Sequence, residues 1–288
     1  MKAIRFVIPK TGKSSFRIQR DQSAYFYDSI HYHPEHQLTC LLKGEGTCFI
    51  GNYVGRFEPG HVYLIGRNVP HVFKCDRSYY QPDAGLESES ISLYLKNETL
   101  GPQFFDIPEM VHVKRLMEKG LQGIRFYGSE CRRITEMVQA IRQQEGFQRI
   151  LTILSLLDRM ADAEAIQLLS SIQYNRPSSE SEHERINIIF DYLSRNFRNE
   201  ISLATISSVA HMTPSSFCRY FKQRTGKVYS LFVNEMRVEY AGRRIATGAE
   251  NLGLIAAESG FNSISYFNRQ FKRITRLTPM DYRKKYGL

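Results

Sequence analysis

The 288-residue sequence has no apolar run approaching the roughly 20 residues a membrane-spanning helix needs, so a membrane partner is not expected. It has no Cys-x-x-Cys pair either. Its five cysteines (Cys40, Cys48, Cys75, Cys131 and Cys218) are odd in number and scattered, which suits reduced thiols in a cytoplasm better than a disulfide framework. The start, Met1 to Pro9, is interrupted by Arg5 and too short in its apolar part to read as a signal peptide. Acidic residues run short in one region only. From His183 onward there are 17 lysines and arginines against 8 acids, while the preceding 182 residues hold 22 against 21. A basic surplus confined to one region is the electrostatic footprint of a polyanion binder, although a merely soluble basic domain would carry the same sum.

What the chain does contain is a phrase used twice. Phe217-Cys218-Arg219-Tyr220-Phe221-Lys222 returns fifty positions later as Phe267-Asn268-Arg269-Gln270-Phe271-Lys272. Upstream, Ile206 to Met212 matches Ile255 to Phe261 in span, and the second copy then takes one more residue to reach its first phenylalanine. A repeat reports an architectural unit used more than once. One added turn residue between flanks held in phase is the pattern of two helix–turn–helix units.

Chain length allows about two domains. From about 20 to 100, short apolar runs such as Leu38–Leu42, Thr47–Ile50 and Val62–Ile65 alternate with turn signals at Lys43–Gly46, Gly51-Asn52 and Pro59-Gly60. This predicts an all-β sandwich or small barrel. Helical spacing at Ile134, Val138 and Ile141, and the apolar stretch Ile150–Met160, predict two helices after it. The polar segment Tyr174–Glu182 reads as an interdomain linker. The expected organisation is therefore a β-barrel domain with following helices over 1–170, a linker over 171–183, and an all-α domain over 184–288. Within the last, Ile186, Ile189, Phe190, Leu193 and Phe197 mark a first helix, and Phe232, Met236, Ala241 and Ile245 a long helix connecting the two copies. Thr213-Pro214 supplies an N-cap followed by proline at the first helical position, Ser263 a similar cap, and Thr278-Pro279 a further start.

On a helix turning about 100° per residue, with Phe217 at about 0°, Phe221 falls near about 40° and Tyr220 near about 300°. Ser215, Cys218, Arg219 and Lys222 take the opposite face. In the second copy Phe267 and Phe271 share the apolar face, while Ser265, Asn268, Arg269 and Lys272 share the polar one. An aromatic inner face with short polar groups and one arginine outside suits the DNA major groove. Arginine pairs bidentately with guanine and asparagine with adenine, each worth about 1–3 kcal/mol of discrimination. Lys222, Lys272 and Arg273 sit where phosphates are reached, and the helix starts at Thr213 and Ser263 can offer free N–H groups to phosphate. A simply solvated polar face is the bland alternative for one copy alone; two copies in phase in the basic third of the chain weigh against it.

The segment from Ile201 to Tyr286 resembles the DNA-binding domain of the AraC/XylS family of bacterial transcription regulators. The residues that carry the likeness are Met212 to Lys222, Gly226, Arg237 to Ala241, Ile255-Ala256, Gly260-Phe261, Ser265 to Phe267, Phe271-Lys272 and Thr278 to Arg283. The resemblance implies two helix–turn–helix units joined by a long helix and entering successive major-groove segments about one turn apart. By position it makes Ser215, Ser216, Cys218 and Arg219, and in the second unit Ile264, Ser265, Asn268 and Arg269, the residues facing DNA. Cys218 stands where the family often has a longer polar side chain, which leaves Arg219 as the main reader of the first helix.

His31-Tyr32-His33-Pro34-Glu35-His36-Gln37, with Gly44 seven residues on, resembles the first cupin motif. Pro59-Gly60-His61 and Val69-Pro70-His71 resemble a later part of that domain as it occurs in AraC-type regulators. Where cupin enzymes carry a metal-binding glutamate this chain has Gln37. Three roles stay open for His31, His33, His36, Gln37 and His71: polar lining of an effector pocket, a metal site, or structural roles at strand ends. The first is the expectation, with no metal or other cofactor, and with a sugar-like or otherwise hydroxylated effector. The helices near 130–165 resemble the family's dimerisation helices, and packing on the barrel is the alternative.

Together these readings predict a cytoplasmic transcription regulator, not an enzyme, whose hold on double-stranded promoter DNA is controlled by a small-molecule effector. A second copy of the chain and RNA polymerase are further candidate partners. The rival from another class is a metal-dependent cupin enzyme with an accessory nucleic-acid domain; a third reading is a nonspecific architectural DNA binder.

Overall fold

The computed structural model describes residues 4–5, 16–28, 30–81, 83–101, 103–171, 173, 180–248 and 251–286. The chain divides into two compact units, Ala3–Ser178 and Ser179–Leu288. Most of the expected linker over 171–183 lies outside the described residues. At its two ends, Ser171 is hydrogen-bonded to Asn52 and Glu180 opens a helix.

The N-terminal unit contains strands β1 (Ile4–Arg5), β2 (Arg17–Ser23), β3 (His31–Tyr32), β4 (His36–Lys43), β5 (Gly46–Ile50), β6 (Tyr53–Phe57), β7 (Val62–Ile65), β8 (His71–Cys75) and β9 (Ser88–Leu95). Helix α1 (Val111–Gly120), strand β10 (Ile124–Phe126), helices α2 (Ser129–Gln143) and α3 (Gly146–Ala161), and strand β11 (Ile166–Leu168) follow. Two sheets result, in the orders β1-β3-β8-β5-β6 and β11-β10-β7-β4-β9-β2. Among the described residues every pairing is antiparallel except β1 with β3. The β5–β6 hairpin turns at Gly51-Asn52, with Gly51 at φ 59°, the left-handed conformation that the first central residue of a tight hairpin turn demands. Asn52 is fully buried and ties this turn to the end of the unit. Its Nδ2 donates to Ser171 Oγ at 2.7 Å, and its Oδ1 accepts from Ser170 Oγ at 2.8 Å.

Alternation along β4 and β9 sorts their side chains onto two faces. Leu38 and Cys40 of β4, with Ile91, Leu93 and Leu95 of β9, join one core with α1, α2 and α3 through Val113, Leu116, Ile134, Val138, Ile141, Ile153 and Leu157. Leu41 turns the other way, into a second core between the sheets with Cys48, Ile50, Phe57, Tyr63, Ile65 and Phe73. The expected helices are α2 and α3. The sequence pattern did not reveal α1, β10 or β11. Each of these strands is three residues long, and both exist only by pairing, β10 with β7 and β11 with β10.

Among its described residues the C-terminal unit is all helical: α4 (Glu180–Asn196), α5 (Leu203–Val209), α6 (Pro214–Thr225), α7 (Tyr229–Thr247), α8 (Leu252–Glu258), α9 (Ile264–Thr275) and α10 (Pro279–Tyr286). The aromatic rings of the repeat build its interior. Phe190 of α4 stacks on Phe232 of α7 at 5.3 Å, and Phe221 of α6 meets both rings edge-on. Phe267 and Phe271 of α9 pack with Val238, Ala241 and Ile245 of α7 and with Ile255 and Phe261 in a second cluster. Helix α7 therefore serves both cores, the first with Phe232 and the second from Val238 onward.

Candidate functional site

The two repeats fold alike down to single hydrogen bonds. Helix α5 is capped by Ser202, whose Oγ accepts from Thr205 N, and α8 by Asn251, whose Oδ1 accepts from Gly253 N. In the turn that follows, Met212 N donates to Ser207 O at 2.9 Å and Phe261 N to Ala256 O at 3.0 Å. His211 and Gly260 occupy the same turn position, at φ 53° and 88°. Asn262 is the added residue. Thr213 then caps α6 and Ser263 caps α9, each accepting from the N–H three residues on. At the far ends Gly226 and Arg276 both sit at φ 65° and donate to Lys222 O and Lys272 O. Thr225 and Thr275 each donate to the carbonyl four residues back and accept from the N–H two residues ahead.

This common frame fixes the outward faces of α6 and α9. Phe217 and Phe221, like Phe267 and Phe271, are fully buried. Thr213, Ser215, Cys218, Arg219 and Lys222 are exposed on α6, with Ser216 half-buried beside its cap. Ser263, Ile264, Ser265, Asn268, Arg269, Lys272 and Arg273 are exposed on α9. Each helix thus presents short polar side chains together with long cations, Arg219 and Lys222 on α6 and Arg269, Lys272 and Arg273 on α9. Arg269 is steered by Tyr266, whose ring its guanidinium overlies at 5.2 Å.

The N-terminal histidines form a different kind of site. His33 and His71 are 1% exposed, so whatever their nitrogens bond to must come from the protein. Their Nδ1 atoms lie 3.1 Å from Glu35 O and 2.8 Å from Val69 O, and their Nε2 atoms both lie 2.9 Å from one end of the Gln37 side-chain amide. Burial holds the His33 imidazole below its usual pKa, with the Glu35 charge opposing the shift, and the His71 imidazole well below, with His31 and His33 adding to it. A neutral imidazole has one N–H, and a carbonyl can only accept, so that proton sits on Nδ1 in each ring. Each Nε2 is then an acceptor. The two ends of an amide have nearly the same shape and are assigned by their hydrogen bonds. Here the NH2 must face the two rings and the oxygen must accept from Thr39, 2.6 Å away, and Ser92, 3.5 Å away. That arrangement satisfies every polar atom of His33, Gln37 and His71.

His36 does not join this group. It is adjacent to Gln37 on β4 and so points to the opposite face, where it lines a cleft with Arg67, Phe105, Lys114 and Leu121. His31 does join, with its ring 4.4 Å from that of His71 and Tyr27 packed edge-on against it at 5.4 Å. The sequence reading missed Thr39, Ser92 and Tyr94, whose ring stands 5.5 Å from His33. The signal was present in the alternation of β9, where Ser90, Ser92 and Tyr94 share one parity and Ile91, Leu93 and Leu95 the other.

His31, His33 and His71 bring one ring nitrogen each within 4.8 Å of one another, the spacing of a divalent transition-metal site. Two of the three lone pairs are taken by the Gln37 amide, and the residue at the expected carboxylate position is this neutral donor. As they stand the residues do not fit a metal.

A family model described as a helix-turn-helix domain matches residues 206–285. An uncharacterized HTH-type transcriptional regulator of Staphylococcus aureus strain MRSA252 is 29% identical over 257 residues, covering 84% of this chain; the chain spans 30% of that relative's length. The HTH-type transcriptional regulator YdeC of Bacillus subtilis strain 168 is 22% identical over 277 residues, 92% of this chain and 89% of its own. Among solved structures, ToxT from Vibrio cholerae O395 is similar with a TM-score of 0.36 and 14% identity, covering 95% of this chain and 100% of its own. The matched span falls on the two repeated units, which together make one helix-turn-helix domain of the AraC type.

Proposed function

We propose that this chain is a sequence-specific transcription regulator whose grip on promoter DNA is set by a small-molecule effector in the N-terminal unit. The observation that carries the reading is the matched pair of exposed faces on α6 and α9, each held by a capped, aromatic-anchored frame. Arg219 and Arg269 are the principal base readers, Asn268 and the serines 215 and 265 adjust the fit, and Lys222, Lys272 and Arg273 hold phosphates. The N-terminal unit contributes the effector site. Its polar interior of His33, Gln37, Thr39, His71 and Ser92 is bonded to itself, so an entering ligand would exchange bonds with its donors and acceptors, and His31 and Tyr27 lead to it, which favours a small hydroxylated metabolite. The effector acts only by binding one state of the protein more tightly than the other. On α3, Phe147 is 72% exposed and Leu151 41%, an apolar strip that supports pairing of two copies. Bound at a promoter in the cytoplasm, the regulator would then meet RNA polymerase.

Selection of duplexes from a random pool by the purified full chain tests the reading. A regulator should prefer its selected duplex to scrambled DNA by at least ~10³. Near-equal affinity for every duplex would leave only an architectural DNA binder.

A further inference from the structure

The two helix–turn–helix units share α7, so their separation and relative rotation depend on what happens where one core hands over to the other. Aromatic packing of the first core ends at Phe232, and the second begins at Val238. Between them lie three polar side chains: Glu235 pairs with Lys227 of the first unit, and the other two are Asn234 and Arg237. Asn234 is 6% exposed, and its Nδ2 donates to the Tyr266 hydroxyl of α9 at 2.9 Å. Arg237 reaches the other way. Its Nε donates to Phe197 O at 2.7 Å and its Nη2 to Asn199 O at 2.9 Å, just beyond the end of α4. Carbonyls at a helix end have no partner within the helix, and a guanidinium fork can satisfy two at once.

The same guanidinium touches the second unit. It overlies the Phe261 ring at 5.8 Å. A Cβ built on Gly260 would stand 2.9 Å from Arg237 Nε and 2.6 Å from Arg198 O, so the turn of the second unit is seated directly on the end of α4 and on Arg237. Gly260 is at φ 88°, a second reason that no larger residue fits there. Beside this contact the Tyr240 hydroxyl accepts from Arg198 Nη1 at 3.1 Å and from Arg244 Nη1 at 3.2 Å, and Arg244 pairs with Glu258 of α8. The end of α4, the middle of α7 and the turn between α8 and α9 therefore meet at one polar junction. Arg237 is the side chain that touches all three.

We infer that Arg237 is a positioning residue: it clamps the α4 end of the first unit to the turn of the second, and so sets the spacing of α6 and α9 on DNA. The last step rests on the proposed DNA-reading function; the clamp itself does not. Loosening it would leave each helix able to bind its own half-site while lowering the effective concentration of the second helix once the first is bound. The preference for one half-site spacing would flatten.

Two measurements separate these claims. Cys218 is exposed on α6, and Asn268 is its counterpart on α9. Spin labels at Cys218 and at an introduced Asn268→Cys, in full-length Cys131→Ser protein diluted with unlabelled chain, report the distance between the two helices without DNA. A narrow distance distribution is expected, broadening or shifting in Arg237→Gln. Arg237→Lys, which keeps the charge and the stem but not the fork, should fall between the two, and serves as the test variant if Arg237→Gln does not fold. An unchanged distribution in whichever variant folds overturns the clamp. Independently, duplexes selected by the unsubstituted chain are rebuilt with one base pair added or removed between the half-sites. The unsubstituted protein should lose most of its binding to these, and Arg237→Gln little of what it retains. Equal spacing profiles overturn the link to DNA spacing. If the distance distribution broadens while no duplex is preferred by any form, the clamp stands and the DNA-reading function fails.

Discussion

In the N-terminal unit the polar side chains that matter face inward, with His33, Gln37, Thr39, His71 and Ser92 enclosed between strands and bonded to one another. In the C-terminal unit the arrangement is inverted. Phe190, Phe217, Phe221, Phe232, Phe267 and Phe271 fill the interior, and serines, asparagine and cations are outside. The two units are therefore stabilised differently. An aromatic interior gains from area removed from water and is indifferent to pH. A closed polar interior gains only while every donor has its acceptor, because an unpaired buried polar group costs more than a made bond returns. The same contrast separates their chemistry, since a ligand must break into the first and can simply dock on the second.

The largest effect that would break this comparison is in the aromatic interior. Phe271→Ala, at a fully buried ring, should cost about 3–5 kcal/mol. Thermal unfolding followed with probes in each unit should show the C-terminal transition fall and the N-terminal one stay. Joint loss of both would mean that the units do not unfold separately.

Next in size comes the polar interior. Gln37→Leu strands two imidazole nitrogens, at about 1–3 kcal/mol for each buried group left unpaired, and leaves the Thr39 and Ser92 hydroxyls only each other at 3.0 Å. The N-terminal transition should drop by several degrees, a result that a merely space-filling Gln37 would not give. Acid should act on the same unit. Folding holds the His33 and His71 pKa values below the unfolded value of about 6.5, so the unfolded chain binds more protons just below that pH. Stability is full above about 6.5 and declines as pH falls beneath it. His61, held down to about 4 by burial and the neighbouring Arg125 charge, adds to the decline over the same window. Gln37→Glu should reverse the sign. With both Nδ1–H groups fixed on carbonyls, a carboxylate facing the Nε2 atoms requires a second proton on a ring. The folded pKa then rises, and the gain is lost as pH increases through it. Unfolding midpoints from pH 4 to 8 check both signs.

A smaller effect belongs to the exposed faces. Arg269→Ala and Arg219→Ala should each relax preference at one base position by about 1–3 kcal/mol, whereas Lys272→Ala should weaken all duplexes alike and make the salt dependence shallower. Competition binding over single-base variants at two salt concentrations distinguishes them. Uniform weakening by Arg269→Ala would reassign that residue to phosphate. The smallest expected change is at the helix ends, where Gly226 and Arg276 hold the same φ of 65°. Arg276→Gly relieves a left-handed conformation worth about 1–2 kcal/mol but adds freedom to the unfolded chain, leaving a gain of about 0.5 kcal/mol. A fall in the C-terminal transition would show that the arginine side chain earns its strained backbone.

The C-terminal unit was the more legible of the two from its residues. Its repeat, caps and aromatic spacing are local signals, and each of Thr213, Ser263, Phe217 and Phe267 took the role its position implied. The N-terminal site was less legible because its members come from four strands. His33 and His36 look equivalent in sequence, and only the pleat of β4 sends His36 to the far face. Ser92 and Tyr94 lie more than fifty residues from Gln37 and reach it through the β4–β9 pairing.

By itself, then, the sequence determined the doubled helix–turn–helix unit, its capped starts, its buried rings and its basic outer faces. All of these depend on neighbours within a few turns of helix. Only the tertiary structure decided three further things: that Gln37 stands between two neutral imidazoles, that α1, β10 and β11 exist, and that Arg237 joins the end of α4 to the turn at Gly260. Each of these rests on groups distant along the chain meeting as hydrogen-bond partners or packed neighbours, and no spacing within one segment encodes such a meeting.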